Sequence, residues 1–278
     1  MDIKRILIIG GDSRTEYLGK ALSDDGFSVE IFSEKEPLKN AVDRCDAVIL
    51  GLPASKDDKT VDAPKLTEQI YLKDLFKITG RNKLLLAGKM SEGMKAVADV
   101  FGVRWVDYFM RDELEILNAV PTCEGAVQIA MEELPMTIFG SNVIVTGFGK
   151  VGEPLAVMLR HLGANVTVCA RRAAQRAKAR TMGIRAVDFS YLGELMTDAD
   201  VVFNTVPEKI IAGNELVTAK NALIIDLASK PGGVDMEKAK DLGVKVIWAL
   251  GLPGKVAPVT SGNIIKETIL NIFSELGE

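Results

Sequence analysis

The sequence predicts an α/β protein built from two Rossmann-like, doubly wound parallel-sheet domains that are joined by a bridging helix. The chain has 278 residues, which at roughly 150 residues per domain suggests two domains. Short apolar runs alternate with amphipathic helical segments, a pattern typical of parallel strands that are buried on both faces. The alternation occurs as two separate series, one in each half of the chain.

The first domain is predicted to span residues 1–122 as a flavodoxin- or Rossmann-like substrate domain. Its helical segments are amphipathic and lie between most of the strands. The strands are predicted at residues 3–9, 28–32, 47–50, 84–87 and 104–106.

A bridging helix is predicted over residues 123–136, because apolar residues recur at helical spacing from Val127 to Leu134. Pro121 and Pro135 are expected to bound it. The second domain, over residues 137–258, is expected to hold a nucleotide, and residues 259–278 form a C-terminal helix. The strands of the second domain are predicted at residues 143–146, 165–170, 201–204, 222–226 and 244–248.

Composition and charge exclude several classes of protein. A net charge of −4 argues against nucleic-acid binding, which needs a basic face. No apolar run approaches the roughly 18 residues that cross a bilayer, and the N-terminal apolar run is too short for a signal peptide. The three cysteines are too far apart for a CxxC metal pair, and their odd number does not suggest a disulfide framework. We therefore expect a reduced, cytoplasmic protein without a metal.

A glycine-rich turn between a strand and a helix predicts a dinucleotide site. The first glycine permits a tight turn, the second lets the backbone approach a diphosphate, and the third lets helix and strand pack closely. Amides at the start of the helix then face the diphosphate. The alternative is a glycine turn that binds no ligand. The turn consists of Gly147, Phe148, Gly149, Lys150, Val151 and Gly152.

The end of the next strand predicts NADP(H) rather than NAD(H). An NAD site places an acidic residue there, but no carboxylate occurs between Glu153 and Asp188. Arg171 and Arg172 follow the strand instead, and a guanidinium can bind a 2′-phosphate through two hydrogen bonds. The basic residues of the following helix, among them Arg176, are expected to form a solvated face.

Two further strand ends are expected near the ribose and the nicotinamide, because ligands bind beyond the carboxyl ends of the strands in such sheets. The alternative for Thr205 and Pro207 is an ordinary strand-to-loop turn. The predicted cofactor-binding residues at these ends are Thr205, Val206, Pro207, Asp226 and Leu227.

The order of the segments resembles the layout of the D-2-hydroxyacid dehydrogenases, which implies that the C-terminal helix returns to the first domain. Those enzymes use a histidine as acid and base. The single histidine here, His161, lies at the end of the helix that follows the glycine turn, where the helix dipole explains it. Because reduction of a ketone needs a proton donor, the ordinary 2-hydroxyacid reaction is disfavoured.

Five segments of the chain are distinctive in combination: the glycine turn and residues 9–14, 121–126, 226–233 and 251–258. Together they resemble the dipicolinate synthase A-subunit family of spore-forming bacteria, and the resemblance extends over essentially the whole chain. One small departure is Cys123, where the family usually has alanine.

The resemblance implies a sporulation enzyme of the mother cell, on the branch of lysine biosynthesis that leads to dipicolinate. It would oxidise a dihydro- or 4-hydroxytetrahydrodipicolinate to dipicolinate with NADP, and its partner would be the flavoprotein-like B-subunit of dipicolinate synthase. A homo-oligomer is also possible. Alternatives are a non-catalytic NADPH-binding sensor or scaffold protein and an NADP-dependent reductase of another small acid.

A dicarboxylate substrate needs cations and backbone amides. Candidate cations are Arg14, Lys230 and Lys255, and candidate bases are Asp12 and Glu124, although either acid is also typical of a helix start. The amides of Gly10 and Gly11, and those of residues 260–262 at the start of the last helix, are further candidates for carboxylate binding.

Overall fold

The computed structural model describes residues 3–219 and 221–277, so the outermost residues of the predicted terminal domains lie outside the described residues. The chain divides into two compact units. One contains the chain up to Asn118 together with the segment from Ala257 onward, and the other runs from Ala119 to Val256. Among the described residues, no helix is both long enough and apolar enough to span a bilayer.

The first unit is a five-stranded parallel sheet with the strand order β2-β1-β3-β4-β5. Its strands are β1 Arg5–Ile9, β2 Ser28–Ile31, β3 Ala47–Leu50, β4 Leu84–Ala87 and β5 Arg104–Asp107. Its helices are α1 Ser13–Asp24, α2 Leu38–Arg44, α3 Leu72–Thr79 and α4 Glu92–Val100. Short 3-10 helices lie at Gly80–Asn82 and Tyr108–Met110.

Helix α5, Asp112–Glu133, carries the chain from the first unit into the second. The prediction that Pro121 bounds this helix is wrong, because the helix begins eleven residues before the predicted start at Cys123 and Pro121 lies inside it. A proline in a helix removes one backbone hydrogen bond. The acidic first turn, with Asp112 and Glu113, stabilises the earlier start through the helix dipole.

The second unit is a six-stranded parallel sheet with the order β11-β10-β9-β6-β7-β8. Its strands are β6 Asn142–Thr146, β7 Asn165–Cys169, β8 Arg185–Val187, β9 Val201–Asn204, β10 Leu223–Asp226 and β11 Val246–Trp248. Its helices are α6 Gly152–His161, α7 Ala173–Thr181, α8 Leu192–Leu195, α9 Gly213–Thr218, α10 Met236–Asp241 and α11 Leu252–Val256. A 3-10 helix spans Phe189–Tyr191.

Strand β8 is missing from the sequence prediction, which placed five strands in this domain. It is a three-residue strand at the edge of the sheet, and its residues are exposed or half-buried. An edge strand of this kind needs no continuous apolar run, so the pattern that reveals the buried strands is absent.

Both sheets are covered on both faces, as the apolar strands predict. In β1, Ile6 and Ile8 belong to one buried cluster, and Leu7 and Ile9 belong to another. The same alternation occurs in β6. Successive side chains of a strand point to opposite faces, so each strand contributes to two cores. The prediction of two doubly wound parallel-sheet domains is confirmed.

The C-terminal helix α12, Pro258–Glu275, packs against α1 in the first unit, as predicted. Gly262 makes this close contact possible, since a Cβ atom there would lie 2.9 Å from the carbonyl oxygen of Arg14. The buried apolar face of α12 includes Ile265 and Ile269. An ion pair of 2.7 Å between Lys266 and Asp25 adds a polar contact at the edge of this packing.

Candidate functional site

The second sheet has a topological switch point between β6 and β9. From β6 the chain proceeds outward through β7 and β8, and it then crosses back to β9, β10 and β11 on the other side. The loops that follow β6 and β9 therefore diverge and leave a crevice at the carboxyl edge of the sheet. Nucleotides bind at this position in open α/β sheets.

The glycine turn after β6 has one open position and two crowded ones. A Cβ atom at Gly147, where φ is 87°, would lie 2.5 Å from Thr205 Oγ1, and one at Gly152 would lie 2.4 Å from the carbonyl oxygen of Gly147. A Cβ atom at Gly149 would have no atom within 4 Å. Thus Gly147 and Gly152 serve the packing of the turn, whereas Gly149 leaves room for a ligand next to the backbone.

A cavity of about 380 Å³ lies over this turn. Residues 147–151, 171–172 and 205–207 line it, so the three predicted strand ends after β6, β7 and β9 come together. Sequence reasoning missed the lining residues Gln175, Phe189 and Glu208. A larger hollow of about 600 Å³ lies at the amino edge of the sheet and contains none of the predicted site residues. We place the site at the carboxyl edge, where the glycine turn and the switch point are.

The two predicted arginines of the β7–α7 turn are exposed and face the cavity. Arg172 is the N-cap residue of α7, and its side chain makes no ion pair with the described residues. Arg171 Nη1 lies 3.4 Å from Glu208 Oε2, and both side chains are mostly exposed. The guanidinium groups are therefore accessible to an anionic ligand.

Arg176 holds this turn in place, and the prediction that it lies on a solvated face is wrong. Its Nη1 donates hydrogen bonds of 2.7 Å to the carbonyl oxygens of Ala170 and Arg171 and also lies 2.7 Å from Asp188 Oδ2. Only 21% of its side chain is exposed. The signal in the sequence was Asp188 itself, the first carboxylate after the basic segment.

Gln175, which precedes Arg176 on α7, links the helix to the glycine turn. Its Nε2 donates a hydrogen bond of 3.0 Å to the carbonyl oxygen of Phe148. Consecutive residues of α7 thus hold the two loops that form opposite parts of the cavity wall. The relative position of the glycine turn and the arginines depends on this pair of contacts.

Asp226 does not line the cavity, in contrast to the prediction, and neither does Leu227. The Asp226 carboxylate is buried and accepts hydrogen bonds from Asn204 Nδ2 at 2.7 Å and from the amides of Ala228 and Gly233 at 3.0 and 2.9 Å. Asp226 therefore holds the loop at residues 227–233 against the sheet, and its oxygens are already occupied. Leu227 packs against the core.

The loop that Asp226 holds carries Lys230, and α11 carries Lys255. Both lysines are exposed and form no hydrogen bond or ion pair with the described residues. They follow β10 and β11, whose carboxyl ends lie at the same edge of the sheet as the cavity. Helix α11 packs on α5 at Gly125, where a Cβ atom would lie 3.2 Å from Leu252 Cβ.

Glu124 is exposed on α5 and forms no hydrogen bond or ion pair with the described residues. Its neighbour Cys123 is buried and lies 3.6 Å from the carbonyl oxygen of Val151 in the loop that leads into α6. The segment at residues 121–126 thus packs α5 against the glycine turn and α11, and it leaves the Glu124 carboxylate in solvent.

In the first unit, Asp12 and Arg14 bind each other. Arg14 is buried, and its Nε and Nη2 lie 2.9 and 2.8 Å from the two carboxylate oxygens of Asp12, while Nη2 also donates to the carbonyl oxygen of Leu52. Partial burial by itself would raise the pKa of Asp12, but the hydrogen bonds and charge of Arg14 outweigh it and lower the pKa below its ordinary value. Asp12 is therefore a weakened base, and the charge of Arg14 is already balanced.

One of the backbone amides proposed for carboxylate binding, that of Gly11, is occupied within the fold. The amide of Gly11 donates to the carbonyl oxygen of Asp62 at 2.7 Å, and the amide of Arg14 donates to Asp12 Oδ1 at 3.0 Å. Residues 260–262 lie in the first turns of α12, which begins at Pro258, and the amide of Ser261 donates to the carbonyl oxygen of Ala257 at 3.0 Å. The amides of Gly11 and Ser261 are therefore not available to a carboxylate.

Comparison with known proteins identifies the family of both domains. Residues 5–109 match the family described as the dipicolinate synthase A-subunit N-terminal domain. Residues 123–228 match the family described as the NAD-binding domain of D-isomer specific 2-hydroxyacid dehydrogenases. The dipicolinate synthase A-subunit of Bacillus subtilis (strain 168) is 31% identical over 98% of this chain and 96% of its own length. The chain belongs to the dipicolinate synthase A-subunit family.

This result confirms the resemblance drawn from the motifs. Among solved structures, the dipicolinate synthase A-subunit from Bacillus halodurans is 30% identical, covers 97% of each chain and has a TM-score of 0.88. D-lactate dehydrogenase from Escherichia coli is 16% identical, covers 99% of this chain and 98% of its own, and has a TM-score of 0.66, so it shares the fold. The dehydrogenase-type domain supports an oxidoreductase that uses a nicotinamide cofactor.

Proposed function

We propose that this member of the family oxidises a partly saturated pyridine dicarboxylate to dipicolinate with NADP⁺. The observation that carries the proposal is the cavity at the switch point of the second sheet, which the glycine turn and two accessible arginines both line. The name of the Bacillus subtilis relative supplies the product. The substrate is the cyclic dihydro- or 4-hydroxytetrahydrodipicolinate intermediate of lysine biosynthesis.

The residues of the cavity fit an NADP nucleotide. The open space at Gly149 admits a diphosphate next to the backbone, and the N-terminus of α6 favours its negative charge. Arg171 and Arg172 lie where a 2′-phosphate would need cations, and Phe189 offers an apolar wall. When bound, the nicotinamide of NADP⁺ accepts a hydride.

The proposed oxidation needs few protein groups. A dihydropyridine dicarboxylate loses a hydride and a proton and becomes an aromatic ring, and a hydroxylated substrate first loses water. Lys230 and Lys255 are the proposed cations for the substrate carboxylates, because both are free of ion pairs with the described residues. Glu124 is a better candidate than Asp12 for the residue that takes the proton, since Asp12 is bound by Arg14.

A second polypeptide is part of the proposal, because the name of the Bacillus subtilis relative describes one subunit of dipicolinate synthase. We propose the flavoprotein-like B-subunit of dipicolinate synthase as the partner and the cytoplasm of the mother cell as the location.

The experiment is an assay with purified protein, NADP⁺ or NAD⁺, and the condensation product of pyruvate and aspartate semialdehyde, with and without the flavoprotein-like partner. We expect equal amounts of dipicolinate and NADPH, both followed by ultraviolet absorbance, and slower turnover with NAD⁺. Turnover without reduction of either nucleotide would contradict the proposal. Binding of NADPH without any turnover in the presence of the partner would instead favour a nucleotide-sensing protein.

The NADP preference has its own test, because it rests on two named residues. Arg171→Ala together with Arg172→Ala should weaken NADPH binding at least tenfold, about 1.4 kcal/mol, and should change NADH binding little. Lys178→Ala is a matched control, since Lys178 lies on α7, directly after the turn that carries the two arginines, but forms an ion pair with Glu153 and does not line the cavity. Equal losses for both nucleotides would refute the assignment.

A further inference from the structure

One acidic residue faces the basic wall of the cavity. Among the described residues that line it, Lys150, Arg171 and Arg172 are cationic and Glu208 is the one acid. A carboxylate in a cavity that we propose for a nucleotide with several phosphates opposes its binding. Glu208 therefore needs an explanation that the proposed function does not give.

Glu208 and Arg171 come from opposite sides of the glycine turn. Strands β9 and β7 flank β6 in the sheet. Glu208 belongs to the loop after β9, and Arg171 lies two residues after Cys169, the end of β7, whereas the glycine turn follows β6 between them. The contact of 3.4 Å between Arg171 Nη1 and Glu208 Oε2 thus spans the crevice at the carboxyl edge of the sheet.

The contact is easily opened. The side chains of Arg171 and Glu208 are 73% and 61% exposed. Exposed ion pairs contribute little to stability because water and salt screen them. Arg176 holds the backbone of Arg171 and not its guanidinium, so the turn stays in place when the ion pair breaks. The Arg171 side chain can therefore change partners without a change in the loop.

We propose that Glu208 is a specificity-determining residue that acts as an exchangeable counter-ion of Arg171. In the free protein it holds Arg171 across the crevice, and it releases Arg171 to the 2′-phosphate of a bound nucleotide. A nucleotide without this phosphate leaves the ion pair in place, so Glu208 lowers the preference for NADP(H) over NAD(H). Glu208 also repels the phosphate at close range, so it limits the affinity for NADP(H) and keeps binding reversible. This inference rests on the proposed NADP site.

The test is calorimetric titration of NADPH and NADH into the whole chain and its variants. Glu208→Gln keeps the size of the side chain and removes its charge. We expect it to tighten NADPH binding by about three- to tenfold and NADH binding by less than about twofold. The larger factor corresponds to the loss of one weak ion pair, between Glu208 and Arg171, and of one repulsion, between Glu208 and the 2′-phosphate. Glu237→Gln is the matched control, because Glu237 is an exposed acid of the same unit outside the cavity.

A double-variant comparison separates partner exchange from bulk charge. In an Arg171→Ala background, Glu208→Gln should tighten NADPH binding by less than half of the factor it gives in the wild type. An equal factor in both backgrounds, an equal gain from Glu237→Gln, or weaker NADPH binding after Glu208→Gln would each overturn the inference. If the wild-type chain binds NADPH and Glu208→Gln changes nothing, the inference alone fails. If the wild type binds neither nucleotide, the proposed function fails with it.

Discussion

The glycine turn allows a sharp test, because two of its glycines face opposite surroundings. Gly149 has open space at the position of a Cβ atom, and its φ is not in the left-handed region. At Gly152 a Cβ atom would lie 2.4 Å from the carbonyl oxygen and 2.9 Å from the carbonyl carbon of Gly147. The same substitution, glycine to alanine, should therefore affect ligand binding at one position and folding at the other.

The expected magnitudes follow from these distances. Gly149→Ala meets no atom and restricts the unfolded chain, so the free energy of unfolding should stay the same or rise by up to about 1 kcal/mol. The added methyl group occupies the space that a diphosphate needs, and NADPH binding should weaken at least tenfold, about 1.4 kcal/mol. Gly152→Ala requires the main chain to move, which costs about 1–3 kcal/mol. At roughly 3 °C per kcal/mol this lowers the melting temperature by roughly 3 to 9 °C.

The assay combines thermal unfolding, followed by circular dichroism, with calorimetric titration of NADPH. Gly140→Ala is not a suitable control, because φ there is 80° and any side chain is strained. Gly193→Ala is suitable, since its nearest neighbour, Asn214 Nδ2, is 3.6 Å away and it lies outside the cavity. The reasoning is refuted if Gly149→Ala binds NADPH like the wild type, or if Gly149→Ala and Gly152→Ala lose the same stability.

Three further predictions concern positioning, pH and thiols. Arg176→Ala removes the hydrogen bonds to the carbonyl oxygens of the β7–α7 turn, although Arg171 and Arg172 remain. Calorimetry should then show NADPH binding weakened by about three- to tenfold. Unchanged affinity would show that the turn does not depend on Arg176. Hydrogen bonds from the Arg5 side chain lower the pKa of Asp46 to about 2, from about 4 in the unfolded chain. Urea titrations should therefore show a contribution to the free energy of unfolding that is present above pH 4 and lost as the pH falls toward 2. Asp46→Asn should abolish this part of the loss of stability in acid. Burial raises the pKa of the thiols of Cys45, Cys123 and Cys169 to between about 11 and about 12. A thiol reagent at pH 8 should therefore label them only after the protein unfolds. Rapid labelling of the native protein would contradict their burial.

Local sequence patterns were sufficient to predict the strands whose apolar residues are buried on both faces of a sheet. The central strands could be predicted because each one is a short apolar run between turn residues, and burial on both faces requires such a run. The start of α5 could not be placed, because Pro121 is a strong local signal for a boundary and the packing along the helix overrides it. The edge strand β8 carries no local signal, because its three residues begin with Arg185 and include a single β-branched residue, whereas the similarly exposed edge strand β2 has two, Val29 and Ile31.

The sequence by itself determined the two parallel sheets, the glycine turn and the two arginines after β7, because these depend on short segments whose spacing is read directly from the chain. The tertiary structure decided which charged groups are available. Arg14 is bound by Asp12, Arg176 holds a turn, and Asp226 is enclosed by amides. These partners are close in the chain, from two residues apart for Arg14 and Asp12 to seven for Gly233 and Asp226. Their spacing alone does not show the contacts, because only the folded loop at the carboxyl edge of each sheet turns the groups toward one another.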